Sequence, residues 1–594
     1  MAMKRANDPS FSPDATCVAY ATNASGTWQL WATAGSGGHV KKLTQFSGGI
    51  SGLAWSPQGN QILVTADRAG DQKYQLFLVD ANTAGTTQLT NNPSVQNDFG
   101  GWSADGRKIF YTSNARDPKF FDLYVMDVGD RKPRSVYQKN TVLHADAISN
   151  DGRTIVVEDT HSEVDNDLLV VDTTAGSARS VTPHKRNSHF TAIGFSGDGG
   201  TLYYLSNESR ETMAVVSQDL ATGGRATVSS GRGDIDSAVL DRQGRRIAYS
   251  ENVDGFAALS VWDIAAHSRV PLPALPKGII TPQQFSNDGG KLAIVVSTPV
   301  HDDEVFRVDL TERRMTQITH SDNGGIPESA LVLPKMIRYP SFDGRLIPAL
   351  YYEPRGSSPH HRAPVILSIH GGPEGQERPY ITSYYQFLVS HGYALIAPNI
   401  RGSTGYGKSY VDLDNGPLRW NALKDVACAV QWVQTQPDLD AKKVACFGPS
   451  YGGFVTLAML AFYPRLFAAG VDFYGPSDLK TFLGRTAAYR RPNRIAEYGD
   501  PVRDSAFLDA ISPARHAGQI KAPLLVVQGE NDPIAPKAES EDIVRLVRRH
   551  GGTADYLLLP NEGHGFASAA DLIKAFDRML SFLLKYMPPP EVAR

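Results

Sequence analysis

One serine in this chain lies at the centre of a Gly-x-Ser-x-Gly pattern, Gly448-Pro449-Ser450-Tyr451-Gly452, with Gly453 after it. The apolar run Val444-Ala445-Cys446-Phe447 precedes the pattern and Phe454 to Leu460 follows it. That order predicts a buried strand, a sharp turn at Ser450 and an immediate helix, with glycines wherever a Cβ would collide with a neighbouring element. The pattern is short and weak by itself, so the strand-turn-helix context carries the reading.

A serine hydroxyl is a poor nucleophile at neutral pH. It needs a base to take its proton, and the base needs an acceptor that holds it in the right tautomer. Both are found after later apolar runs. Asp532 lies in Gln528-Gly529-Glu530-Asn531-Asp532-Pro533, and His564 lies in Asn561-Glu562-Gly563-His564-Gly565-Phe566. Glu530 and Glu562 are rival acids, but Asp532 sits deeper in its loop. The oxyanion formed on attack also needs donors. His370-Gly371-Gly372-Pro373 follows the run Val365–Ile369, so the N–H groups of Gly372 and Tyr451 are the candidates, with His370 read as a packing residue. The pair His360-His361 lacks a third ligand and reads as solvated. This chemistry needs no metal and no cofactor.

The elements that must hold these residues alternate between strands and helices. Strand candidates are Val365–Ile369, Ala394–Ala397, Val444–Phe447, Leu524–Val527 and Tyr556–Leu559, near-continuous apolar runs suited to a parallel sheet covered on both faces. A helix over Ala538–His550 carries acidic residues in its first turn and arginines in its last, with Gly551 beyond it. Another places Leu572, Phe576, Met579 and Leu583 on one face and stops before Pro588. In such a sheet the order serine, acid, histidine matches an α/β hydrolase.

The first half repeats. An apolar residue, then Ser, two turn residues and often Gly, recurs at Ser12, Ser56, Ser103, Ser149, Ser196 and Ser286, with Asp241 in the serine position of the sixth copy. Successive copies are 44 to 47 residues apart. Four short strands per unit, joined by Asp-Gly turns, predict a seven-bladed β-propeller. No strand is left over to bridge the ends, so the ring is expected to close by packing alone. The division is 1–325 for the propeller and 326–594 for the α/β-hydrolase domain, which has a mostly parallel sheet flanked by helices.

Composition agrees with two soluble domains. Of 594 residues 41% are apolar and 20% charged, with a net charge of −3. No basic surplus points to nucleic acid, and no apolar run is long enough for a membrane helix. Cys17, Cys428 and Cys446 are far apart and read as reduced thiols, suiting a cytoplasmic protein. The start, Met1-Ala2-Met3-Lys4-Arg5, lacks the apolar stretch of a signal peptide, with a leader already removed as the alternative. Oligomeric state is left open, a homo-oligomer included.

A seven-bladed propeller followed by an α/β hydrolase carrying Ser450, Asp532 and His564 resembles the prolyl oligopeptidase family of serine peptidases, nearest its acylaminoacyl-peptidase and dipeptidyl-peptidase branches. The resemblance is densest in Tyr339 to Gly344, His370 to Pro373, Pro398 to Gly407, the Ser450 turn, Asn531-Asp532-Pro533 and Glu562 to Gly565. It implies hydrolysis of short peptides or acyl-peptides, with the propeller limiting substrate size. Tyr474 and Phe482 are implied as lining the pocket at the cleaved bond. Many relatives carry an Arg or Asn two residues after the catalytic Asp to hold the substrate backbone. Here that position is Ile534, which cannot donate, so Arg490 and Arg491 are the candidates to replace it. The propeller residues Glu208 and Glu211, the nearest equivalents of amine-reading carboxylates, read as a solvated loop. The alternative reading keeps the three residues and makes the substrate a small ester or amide.

Overall fold

A computed structural model describes residues 3–185 and 187–590. The expectation drawn from Met1 and Ala2 lies outside the described residues. The chain divides into two compact units, one containing residues 4–68 and 72–322 and the other containing residue 3, residues 69–71 and residues 323–590.

In the first unit the strands from Ala6–Phe11 to Arg314–Gln317 pair antiparallel in consecutive sets of four, and one parallel pairing each, Phe121 with Val142 and Ala257 with Ile279, joins the third set to the fourth and the sixth to the seventh. The repeated serine explains why the sets recur. Its hydroxyl donates to the aspartate two residues on and accepts the N–H five residues on, fastening the turn between the first two strands of a set. Ser103 Oγ lies 2.7 Å from Asp105 Oδ1 and 2.9 Å from Lys108 N, and Ser149, Ser196 and Ser286 do the same. In the sixth set Asp241 accepts directly from the N–H groups of Arg245 and Arg246, at 2.6 and 3.1 Å. A carboxylate there replaces the hydroxyl and keeps the turn. The first and last sets meet through side chains and single bonds. Ala6, Phe11 and Val18 pack with Ala293, Val305 and Ile318, Ala6 N–H donates to Asp303 O, and Gln284 Oε1 accepts from Phe11 N–H. Among the described residues no strand of the first set pairs with a strand of the last.

The second unit is built on an eight-stranded sheet. Its strands are β1 (Lys335–Pro340), β2 (Leu346–Tyr352), β3 (Ala363–Ser368), β4 (Ala394–Pro398), β5 (Leu439–Pro449), β6 (Ala469–Phe473), β7 (Leu524–Gly529) and β8 (Ala554–Leu559). Their order is β1-β2-β4-β3-β5-β6-β7-β8. The first two pairings, β1 with β2 and β2 with β4, are antiparallel and the rest parallel.

Alternate residues of the central strands feed two cores, as strands buried on both faces require. Val365, Leu367, Val444, Cys446 and Val526 pack under helices α1 (Arg419–Gln434), α2 (Tyr451–Phe462) and α4 (Lys537–Arg549). Ile366, Ala445, Phe447, Leu525 and Val527 pack under α5 (Ala569–Tyr586). Helix α3 (Arg491–Tyr498) lies in the connection between β6 and β7. Among the described residues no helix is long and apolar enough to cross a membrane.

Glu539, read as a first-turn complement to the helix dipole, is instead buried. Its carboxylate accepts from Ser477 and Asp478 N–H, the Thr481 hydroxyl and Arg485, tying α4 to the loop after β6.

Candidate active site

Strand β5 ends at Pro449 and α2 begins at Tyr451, so the whole reversal falls on Ser450. Its φ of +55° and ψ of −118° lie outside the regions open to an L-residue, a strain of about 1–3 kcal/mol that neighbouring contacts must hold. They do so on both sides. Ser450 N–H donates to Phe473 O at 2.8 Å and Ser450 O accepts from Phe454 N–H at 3.0 Å. The flanking glycines are required for space, because a Cβ on Gly452 would lie 2.0 Å from Ile369 O and one on Gly448 2.5 Å from the carbonyl carbon of Gly452. The close approach of α2 to Ile369 also brings Gly371 beside Ser450, whose Cβ is 3.4 Å from where a Gly371 Cβ would sit.

Asp532 follows β7 and His564 follows β8. His564 Nδ1 is 2.7 Å from Asp532 Oδ2, and His564 Nε2 is 2.9 Å from Ser450 Oγ. An ionised carboxylate can only accept, which puts a proton on Nδ1 and leaves Nε2 to accept from the serine hydroxyl. Asp532 is 5% exposed and well supplied with donors. Ile534 and Ala535 N–H reach Oδ1 at 2.8 and 2.9 Å, and Gln528 Nε2 is 3.4 Å from Oδ2. The rival acids are engaged elsewhere, Glu530 with Lys537 and Glu562 with the N–H groups of Ala567 and Ser568. The His564 ring lies against Tyr474, centroids 4.9 Å apart.

A cavity of about 320 Å³ opens over Ser450 and His564. Gly372, Tyr474, Phe482 and Arg490, all singled out from the sequence, line it, and Ile534 forms part of its wall. Arg491 does not line it; its guanidinium donates to Gly484 O at 2.8 Å. Tyr451 turns its ring into the protein, its hydroxyl 3.1 Å from Asp414 Oδ2, while its N–H belongs to the first turn of α2, where a helix offers no acceptor.

Sequence reasoning missed Arg494 and Tyr498, which also line the cavity. The signal was the four-residue spacing of Arg490, Arg494 and Tyr498, which puts all three on one face of a helix. His370 is buried between Ser403 Oγ and Gly371 O, each at 2.8 Å. Burial lowers its pKa against the opposing pull of the Gly371 carbonyl, so it is neutral. In the propeller Glu208 pairs with Arg225.

The segments Tyr339–Gly344 and Pro398–Gly407 meet at one buried ion pair. Arg401 reaches Asp425 at 2.8 and 2.9 Å and Asp343 at 3.2 Å, while Ser341 also donates to Asp425.

Across nearly its whole length the chain is similar to the dipeptidyl aminopeptidase BIII of Pseudoxanthomonas mexicana, 30% identical over 576 residues that cover 94% of this chain and 83% of that protein. The chain belongs to the prolyl oligopeptidase family. Residues 379–589, which hold Ser450, Asp532 and His564, match the prolyl oligopeptidase family domain, and residues 4–190 match the TolB beta propeller domain. The acylamino-acid-releasing enzyme of Sus scrofa is 28% identical over 232 residues, 37% of this chain and 31% of that protein. A solved puromycin-hydrolyzing peptidase of Mycobacterium tuberculosis shares the fold, with a TM-score of 0.85 over 99% of this chain and 95% of that one at 20% identity. As a member of the prolyl oligopeptidase family, the chain is a serine peptidase with an N-terminal propeller and a C-terminal α/β-hydrolase domain.

Proposed function

We propose that this peptidase hydrolyses short peptides or acyl-peptides through an acyl-enzyme. Ser450 attacks the scissile carbonyl, His564 takes the hydroxyl proton and returns it to the leaving amine, and Asp532 holds the His564 ring and stabilises its charged form. The N–H groups of Gly372 and Tyr451 bind the oxyanion. Water then attacks the acyl-enzyme with His564 as base. The observation that carries this reading is the unbroken hydrogen-bonded line from Asp532 through His564 to Ser450 at the floor of a cavity.

Tyr474 and Phe482 offer the cavity an aromatic wall for the residue at the cleaved bond, and Arg490 supplies the donor that Ile534 lacks. The relatives' own names include a dipeptidyl aminopeptidase and an acylamino-acid-releasing enzyme, which differ in whether the substrate's amino end is free or blocked. A panel of free and N-acylated chromogenic peptides of increasing length tests this. Turnover of short members that falls with length supports the peptide reading and the propeller as a limit on size.

A second reading is favoured by Ile534 on the cavity wall, since no side-chain donor stands there for a peptide backbone. It keeps the same three residues and takes small esters or amides. Cleavage of p-nitrophenyl esters with no turnover of any peptide would decide for it.

The boundary at 325/326 and the count of seven blades belong to the same proposal. The consecutive four-strand sets and the change of unit near Asn323 support them. Three free cysteines fit a cytoplasmic protein, and neither nucleic acid nor a membrane is needed as a partner. Self-association into a homo-oligomer is a separate question that sedimentation would answer.

A further inference from the structure

Gly372 has a φ of +129° and no side chain of its own to hold it, yet the proposed reaction needs its N–H aimed to within a few tenths of an ångström. The structure supplies an outside hold. Arg494 Nη1 lies 3.3 Å from Gly372 O and 3.9 Å from Glu374 Oε2. Arg494 shares helix α3 with Glu497, and Arg419 donates through Nη2 to both the carboxylate and the backbone carbonyl of Glu497. Arg419 Nη1 then reaches Asp414 Oδ2 at 2.8 Å, and the same oxygen accepts the Tyr451 hydroxyl at 3.1 Å. The Arg419 guanidinium also sits over the rings of Tyr451 and Tyr498, at 5.0 and 4.5 Å. Arg419 is fully buried, and Asp414, Glu497 and Arg494 are nearly so.

We propose that Arg494 is a positioning residue for the oxyanion-binding segment, and that helix α3, through Arg494 at Gly372 and through the buried chain Glu497–Arg419–Asp414 at Tyr451, holds two donors on separate segments as one unit. This rests on the reading of Gly372 and Tyr451 as the oxyanion donors. A stability role alone does not account for the chain. Two guanidiniums and three carboxyls taken out of water are usually no better for stability than apolar residues of the same size, whereas they impose a geometry that apolar packing does not. Burial and the adjacent Glu497 keep the Glu374 carboxyl well above its ordinary range.

The test is steady-state hydrolysis of a p-nitrophenyl ester by Arg494→Met, Arg494→Lys, Tyr451→Phe and the double variant Arg494→Met/Tyr451→Phe. An ester is used because ester and peptide hydrolysis both pass through the oxyanion. Arg494→Met is expected to lower kcat by about 30-fold with KM within about threefold, and Arg494→Lys to recover part of the loss. Tyr451→Phe, which keeps the backbone N–H, is expected to lower kcat by about fivefold. The double variant should fall well short of the product of the two losses, as coupled residues do. A raised KM at unchanged kcat would make Arg494 a substrate contact and overturn the proposal, as would losses that simply multiply. If Arg494→Met fails to fold, the Lys and Phe variants carry the same comparison. Absence of any acyl turnover by the unaltered enzyme would instead sink the serine-hydrolase reading itself.

Discussion

The Asp532–His564 pair and the Arg494-to-Tyr451 chain both end at the Ser450 cavity, but they reach it by different construction. The pair stands on two loops directly after β7 and β8, and backbone N–H groups of its own loop hold Asp532. The chain runs through side chains drawn from α1 and α3 and from the loop ahead of α1. Strand ends therefore suffice to aim side chains. On the proposal above, two backbone N–H groups that lie far apart in the sequence are aimed by a buried ionic assembly, because a backbone donor moves only with its whole segment.

The largest effects should come from the pair. His564→Ala is expected to lower kcat/KM by about 10⁶-fold and Asp532→Asn by about 10⁴-fold, both read with a chromogenic substrate. A loss under tenfold for either would remove that residue from the reaction. Next, Ile534→Arg places a donor on the cavity wall. It should raise kcat/KM for a peptide anilide by about tenfold relative to a p-nitrophenyl ester, and an unchanged ratio would show that Arg490 or another group already holds the substrate backbone.

A third difference sets Asp532 against Asp472 in β6. Asp472 is also buried, but it receives one N–H, from Gly475 at 2.8 Å, and burial raises its pKa from 3.8 to about 8. The unfolded chain gives up this proton near pH 4 while the folded chain keeps it to about pH 8. The unfolded state thus binds fewer protons across that window, and stability falls as pH rises through it. Asp472→Asn should remove this slope, so its stability relative to the unaltered protein rises between pH 5 and pH 7.5 in urea titrations. A constant difference would show that Asp472 is already ionised in the folded state.

The smallest effect belongs to the propeller turns. Asp241→Ala should cost about 1 kcal/mol in a thermal melt while Asp241→Ser costs little. Equal losses would mean that the hydroxyl cannot replace the carboxylate.

These contrasts also explain what could be read from the sequence. The propeller was legible because most sets repeat the same Ser–Asp fastening at nearly constant spacing. Even the deviating Asp241 kept the function of the serine it replaces. The Ser450 turn was legible because glycine is the only residue that fits beside Ile369. Strand β6 was not seen, since Ala469-Gly470-Val471-Asp472-Phe473 holds a glycine and an aspartate that break the apolar run. Both answer to neighbours: a Cβ on Gly470 would meet Leu460 at 2.3 Å, and Asp472 Oδ1 lies 2.2 Å from where a Gly453 Cβ would be. Arg419, Glu497 and Asp414 gave no signal because Glu497 lies 78 residues from Arg419 and the five-residue step from Asp414 to Arg419 is not a helical pair spacing. Glu539 was misread because a buried acid and a solvated one look alike in the first turn of a helix.

The most direct test of the account is to treat the protein with a fluorophosphonate and map the modified peptide by mass spectrometry, for the unaltered chain and for His564→Ala. The account predicts one adduct on Ser450, formed fast in the unaltered chain and slowed by orders of magnitude in the variant. Modification at another residue, or labelling of Ser450 at the same rate without the imidazole, would contradict it.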